Sequence, residues 1–119
     1  AGEPAPDLSE LLDRLEQLRQ YAADEDIPYQ EASSQEALEW VRRTVPANLP
    51  SVFLVNNGNT RLLWKSATKQ LGIQFLGDGS VQFVFLGEDD QAERVFGTIK
   101  TSELKRLISG LDVSTLIGV

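Results

Sequence analysis

The stretch Leu71–Phe85, LGIQFLGDGSVQFVF, decides the fold. Two apolar runs flank Gly77-Asp78-Gly79, a turn signal between strands. Register settles the loop length. A two-residue Asp-Gly turn pairs Gln74 with Phe83 and sets an amide beside an aromatic ring. A three-residue loop with Gly79 left-handed pairs Phe75 with Val81, Ile73 with Phe83 and Leu71 with Phe85. The second arrangement gathers one apolar face, so it is the register predicted.

Working outward, a two-residue turn at Ala67-Thr68 pairs Trp64 with Leu71 and Leu62 with Ile73, which extends that face. Upstream, Val52–Val55 and Arg61–Trp64 flank Asn56-Asn57-Gly58-Asn59, a second hairpin signal. Downstream, Glu88-Asp89-Asp90 turns the chain into a fifth strand over Glu93–Ile99. The opposite side of this sheet mixes Leu63, Leu76, Val84 and Leu86 with Arg61, Lys65, Gln74 and Gln82. A solvated face alternates more strictly than that, so either the C-terminal segment or a partner is expected to cover it.

Helices flank the strands. Leu8, Leu11, Leu12, Leu15, Leu18 and Ala22 recur at helical spacing, with Asp7 and Glu10 forming a capping box. Asp24-Glu25-Asp26 ends this helix, and Ile27-Pro28-Tyr29 links it to a second one. Ser33 and Glu36 suggest a further capping box there, before an apolar stripe of Ala37, Leu38, Val41 and Val45 that Pro46 and Pro50 close. Thr101 or Ser102 caps a C-terminal helix carrying Leu104, Leu107, Ile108 and Leu111. Val113–Val119 reads as an edge strand or a docked tail. The fold predicted is α+β: an antiparallel meander of four to five strands with two N-terminal helices and one C-terminal helix. Residues 1–6 read as a flexible leader and 7–119 as one domain, the size expected of a single core.

The 119 residues carry a net charge of −7, unevenly placed. Residues 1–46 hold 11 acids against 4 bases, while residues 47–119 hold 7 of each. That balance argues against nucleic acid, which selects a basic footprint, and allows steering toward a basic protein. The absence of cysteine excludes a disulfide framework and favours a reducing, cytoplasmic setting. No apolar run reaches the length of a membrane span.

Catalytic chemistry has few candidates. The chain has no histidine or cysteine to serve as base, nucleophile or soft-metal ligand. Gly77-Asp78-Gly79 lacks the following helix and lysine of a phosphate loop. Asp24–Asp26 lacks the spaced oxygen ligands of a calcium loop, and Glu88–Asp90 reads as a turn. No cofactor or metal is therefore expected. The aromatics of the acidic half, Tyr21, Tyr29 and Trp40, suit either a protein-binding surface or the helix–sheet core.

From Leu15 to Leu86 the order of elements resembles a group of small bacterial proteins of unsettled function. The resemblance rests on Tyr21–Tyr29, Ala37–Val45, Gly58–Trp64 (GNTRLLW) and Leu71–Phe85. The link YAADEDIPY lacks the tryptophan and glycines common in that group, so a ligand role for the link does not carry over. Some members look like accessory genes of mobile or defence systems, which implies a protein-binding or inhibitory role.

The function expected is a non-enzymatic protein-binding module that inhibits or regulates a basic protein. Its candidate residues are Asp24, Glu25, Asp26, Tyr29, Trp40, Leu63, Val84 and Leu86. The alternatives are a homodimeric structural protein and a divalent-metal hydrolase using Asp24, Asp26, Asp89 or Asp90.

Overall fold

The computed structural model describes residues 8–44, 46–87, 94–111 and 113–118. Helices α1 (Ser9–Asp24) and α2 (Glu31–Thr44) precede five strands: β1 (Ser51–Leu54), β2 (Thr60–Lys65), β3 (Gln70–Phe75), β4 (Ser80–Leu86) and β5 (Arg94–Lys100). A 3-10 turn over Thr101–Glu103 leads into α3 (Leu104–Gly110) and the single-turn α4 (Ser114–Ile117). The strands pair in chain order as one antiparallel meander.

The register is the one that the apolar pattern requires. Phe75 pairs with Val81, Ile73 with Phe83 and Leu71 with Phe85, while Trp64 faces Leu71 and Leu62 faces Ile73. Gly79 sits at φ +88, and Leu76 N–H closes the loop onto Ser80 O at 3.1 Å. Leu76 thus belongs to the loop after β3 rather than to the sheet face where alternation placed it.

One face of the sheet carries the core. Val52, Leu62, Trp64, Leu71, Ile73, Phe75, Val81 and Phe85 meet Leu11, Leu15 and Leu18 of α1, Trp40 and Val41 of α2, and Leu104 and Ile108 of α3. Val113 and Ile117 close the same core from the α4 end. Trp64 holds this layer by packing edge-on to Trp40, centroids 5.8 Å apart, and by donating its Nε1–H to Asn48 O at 2.8 Å. Residues 113–118 therefore form a docked helical turn and not an edge strand.

Two capping expectations change, and a third turns on Asp7. Leu8, with no side-chain cap hydrogen bond, precedes α1, and Asp7 lies outside the described residues. Helix α2 starts two residues before Ser33, whose hydroxyl instead leaves the helix for the sheet. Ser33 Oγ donates to Phe75 O at 2.5 Å and accepts Thr60 N–H at 2.8 Å, joining α2 to two strands. Glu36 reaches forward as well, accepting from Gly79 N–H at 3.1 Å and from Thr101 Oγ at 2.5 Å. Thr101 is thereby spent on α2, and α3 is preceded by the 3-10 turn without a side-chain cap. The β5 strand begins at Arg94; its predicted first residue, Glu93, and the turn Glu88–Asp90 lie outside the described residues.

Candidate functional site

All four helices pack on one side of the sheet, which leaves the other side uncovered by the described residues. The C-terminal segment does not cover it, because Leu104, Ile108, Val113 and Ile117 are all committed to the core. Strand register gives the composition of the open face. One row crosses the sheet as Ser51, Leu63, Gly72, Val84 and Phe96. The next row reads Phe53, Arg61, Gln74, Gln82 and Thr98, and the row on the other side reads Lys65, Gln70, Leu86 and Arg94. Phe96 is 71% exposed, Phe53 44% and Leu86 38%, while Leu63 and Val84 are half-buried between neighbours. Three of the eight candidate residues, Leu63, Val84 and Leu86, lie together here. Phe96 and Phe53 belong with them; both emerge only when the outer strands are placed in register.

Among the described residues every charged side chain that this face presents is basic: Arg61, Lys65, Arg94 and Lys100. No ion pair holds any of the four among the described residues. Arg61 lies in the middle of the face, its guanidinium over the backbone of Gly72, where an added Cβ would come within 2.7 Å of Nη2. Helices α1 and α2 treat their arginines differently. Arg19 bonds Glu16 and Glu31, Arg42 and Arg43 bridge to Glu39, and Arg14 Nε donates to Val52 O at 3.2 Å.

The other candidates lie on the helical side. Asp24, Glu25 and Asp26 are exposed and unpaired among the described residues. They occupy the C-terminal end of α1, where Ile27 N–H bonds Ala22 O at 2.8 Å, Asp26 N–H bonds Ala23 O at 3.4 Å, and Asp26 is left-handed at φ +56. This is a Schellman ending with an aspartate in the glycine place. Helix dipoles disfavour carboxylates at that end, and no base in the last turn offsets them. Tyr29 is half-buried beside this link, with its hydroxyl donating to Ser34 Oγ at 2.8 Å and Arg19 5.1 Å above its ring. Trp40 is a correction: its ring is buried against Trp64 and Phe75, so it is a core residue and not an exposed anchor.

A groove of about 900 Å³ runs between α2 and α3, lined by Glu36, Glu39, Arg43, Thr101 and Lys105 over Trp40 and Ile108. Glu36 is tied to Gly79 and Thr101 across it, so the groove is the seam of two helices. Asp78 serves its own turn, accepting Ser80 N–H at 3.0 Å and Ser80 Oγ at 2.5 Å, and the Ser80 hydroxyl holds its carboxyl below the usual range. Among the described residues no cluster of three or more acids could hold a metal ion, which disfavours the hydrolase reading at Asp24 and Asp26. Asp89 and Asp90 lie outside the described residues. No helix among the described residues is long and apolar enough to cross a membrane.

No protein family, curated protein or solved structure matches this chain. The likeness of Gly58–Trp64 and Leu71–Phe85 to small bacterial proteins therefore brings no function across. What the surface can do is left to its own chemistry.

Proposed function

We propose that this chain is a protein-binding module, not an enzyme, and that its working surface is the open sheet face. One observation carries the reading. Five apolar side chains, Phe53, Leu63, Val84, Leu86 and Phe96, share a face on which no described element packs. Apolar surface of that extent on one side of a small domain marks an interaction site. Binding there removes Phe96 from water, and each such side chain contributes about 1.5–3 kcal/mol when fully buried.

The test compares wild-type protein with Phe96→Asp and Leu63→Lys, both in capture of partners from the native lysate and in thermal unfolding. A partner held by wild type and lost by Phe96→Asp, at an unchanged unfolding midpoint, supports the reading. A partner that both variants retain refutes it. Homodimerisation through this face is read separately, as a concentration-dependent solution mass that Phe96→Asp abolishes.

A second reading rests on Asp24, Glu25 and Asp26, three unpaired carboxylates kept where the dipole of α1 opposes them. They suit steering of a basic partner to the helical layer, as part of an inhibitory or regulatory role. Reversing all three charges is expected to slow association with that partner at low salt. An unchanged on-rate ends this second reading and leaves the first untouched.

A further inference from the structure

The open sheet face is the basic pole of an acidic protein, and that contrast selects its occupant. Sixteen strand residues point to this side, from Ser51 to Lys100, and none is a carboxylate, although the whole chain carries 18 acids. The arginines of α1 and α2, unlike Arg106 of α3, are consumed internally by Glu16, Glu31, Glu39 and the β1 backbone. The four cations of the sheet are not. Arg61 is the sharpest case, because its half-buried guanidinium lies between the side chains of Leu63 and Val84 in the register and has no protein acceptor among the described residues. A planar fork of donors held on an apolar surface is the group that a carboxylate meets in bidentate fashion.

Resting on the reading of this face as the working surface, the geometry points to an acidic amphipathic protein segment as its occupant. The apolar side of that segment covers Leu63, Val84 and Phe96, and its carboxylates pair with Arg61, Lys65, Arg94 and Lys100. A helix is the natural form, since it lays one stripe across neighbouring strands, as α2 does over β2 and β3 on the opposite face.

Three other occupants fit less well. A second copy joined face to face by a twofold axis sets four cations of one chain against four of the other. Single-stranded nucleic acid matches the charge, but stacking of successive bases uses neighbouring aromatic rings. Here Phe53 and Phe96 stand on opposite edge strands, about 19 Å apart at the usual strand spacing. An anionic membrane matches the charge as well, yet the central Leu63 and Val84 are half-buried among their neighbours, and the exposed rings Phe53 and Phe96 stand on opposite edge strands rather than as one insertion patch.

The net charge of −7 adds a kinetic signature. At long range the net charge disfavours an acidic segment, so the charge pairs add less to encounter than to holding the segment once bound. They act chiefly after contact, by slowing dissociation.

The experiment selects peptides from a random-sequence display library on the full chain and measures the enriched sequences against variants by surface plasmon resonance. The result expected is acidic peptides with apolar residues at helical spacing. Phe96→Asp should abolish their binding, and Arg61→Gln should raise the dissociation rate about tenfold with little change in association. Lys65→Glu should act in the same direction as Arg61→Gln. Enriched peptides that need Phe96 but carry no acidic excess overturn the acidic occupant and leave the face as the binding surface. Peptides indifferent to Phe96→Asp, or no enrichment at all, overturn both. Oligodeoxythymidine or phosphatidylglycerol vesicles that bind the face more tightly than any peptide, or a dimer that Phe96→Asp dissolves, overturn the proposal in favour of that occupant.

Discussion

Gly58 shows how one position can fix two segments of the chain. It sits at φ +91 in the β1–β2 hairpin, directly under the link between α1 and α2, and its carbonyl accepts Gln30 N–H at 3.0 Å. A Cβ there would stand 1.8 Å from Pro28 O, a backbone atom that cannot swing away. Gly79 has nearly the same φ, +88, with nothing within 4 Å of an added Cβ. Gly79→Ala should therefore cost only the left-handed strain, about 1–2 kcal/mol. Gly58→Ala should cost clearly more, and the difference in urea unfolding free energy measures the clash alone. Ser33 and Thr60 form a second contrast. Removing the Ser33 hydroxyl strands a buried donor and a buried acceptor, so Ser33→Ala should lose about 2–4 kcal/mol. Thr60 Oγ is buried with no partner among the described residues, so Thr60→Val should gain about 1 kcal/mol. A loss of stability in Thr60→Val would mean that the hydroxyl has an acceptor after all, such as a bound water.

At the level of elements, α1 ends against its own preference. Asp26 holds the left-handed position that glycine fills without strain, and it adds a negative charge at the negative end of the helix. Asp26→Gly should raise stability by about 1 kcal/mol, read from the unfolding midpoint. An acidic link that costs stability is consistent with a binding role. The α1–α2 pair is also tied by Arg19, which donates to Glu31 at 2.9 and 2.8 Å. That hydrogen bonding holds the Glu31 carboxyl below the usual carboxylate range and raises the Arg19 guanidinium. A carboxyl depressed in the folded state contributes stability above its unfolded pKa, and the contribution is lost as pH falls through its folded value. Below about pH 4, Glu31→Gln should therefore lose stability less steeply than wild type in acid titrations of unfolding. An identical slope would show that the pair adds nothing to folding.

At the scale of the molecule, the sheet was legible because each apolar run alternates with period two and the turns at 56–59 and 77–79 carry glycine or asparagine. The Phe75–Val81 pairing followed from matching one face, without any need of tertiary knowledge. The helix starts were less legible. Ser33 carries a capping signature, yet its hydroxyl finds stronger partners 27 and 42 residues away, which no local pattern encodes. The open face was half legible. Leu63, Val84 and Leu86 stood out as apolar residues on the wrong side, but Phe96 could be assigned to that side only once β5 was registered against β4. The charge of the face was hidden by the net value, because the acids lie mostly on α1 and α2 and in the β4–β5 connection.

Finally, α4 sets an order on synthesis. Its Ile117 and Gly118 carbonyls accept Asn48 and Ala47 N–H at 3.1 and 3.0 Å, across some of the longest sequence separations in the fold. A nascent chain that has reached Leu111 already contains all five strands, but it lacks Val113 and Ile117, both fully buried in the finished core. On the ribosome such a chain would present two apolar surfaces at once, the permanent one and the temporary gap beside Trp64. Chaperone engagement is then expected in the interval before the last turn emerges. Ribosome-bound chains stalled after Leu111 should be sensitive to protease, and those extended through Gly118 and clear of the exit tunnel should resist it.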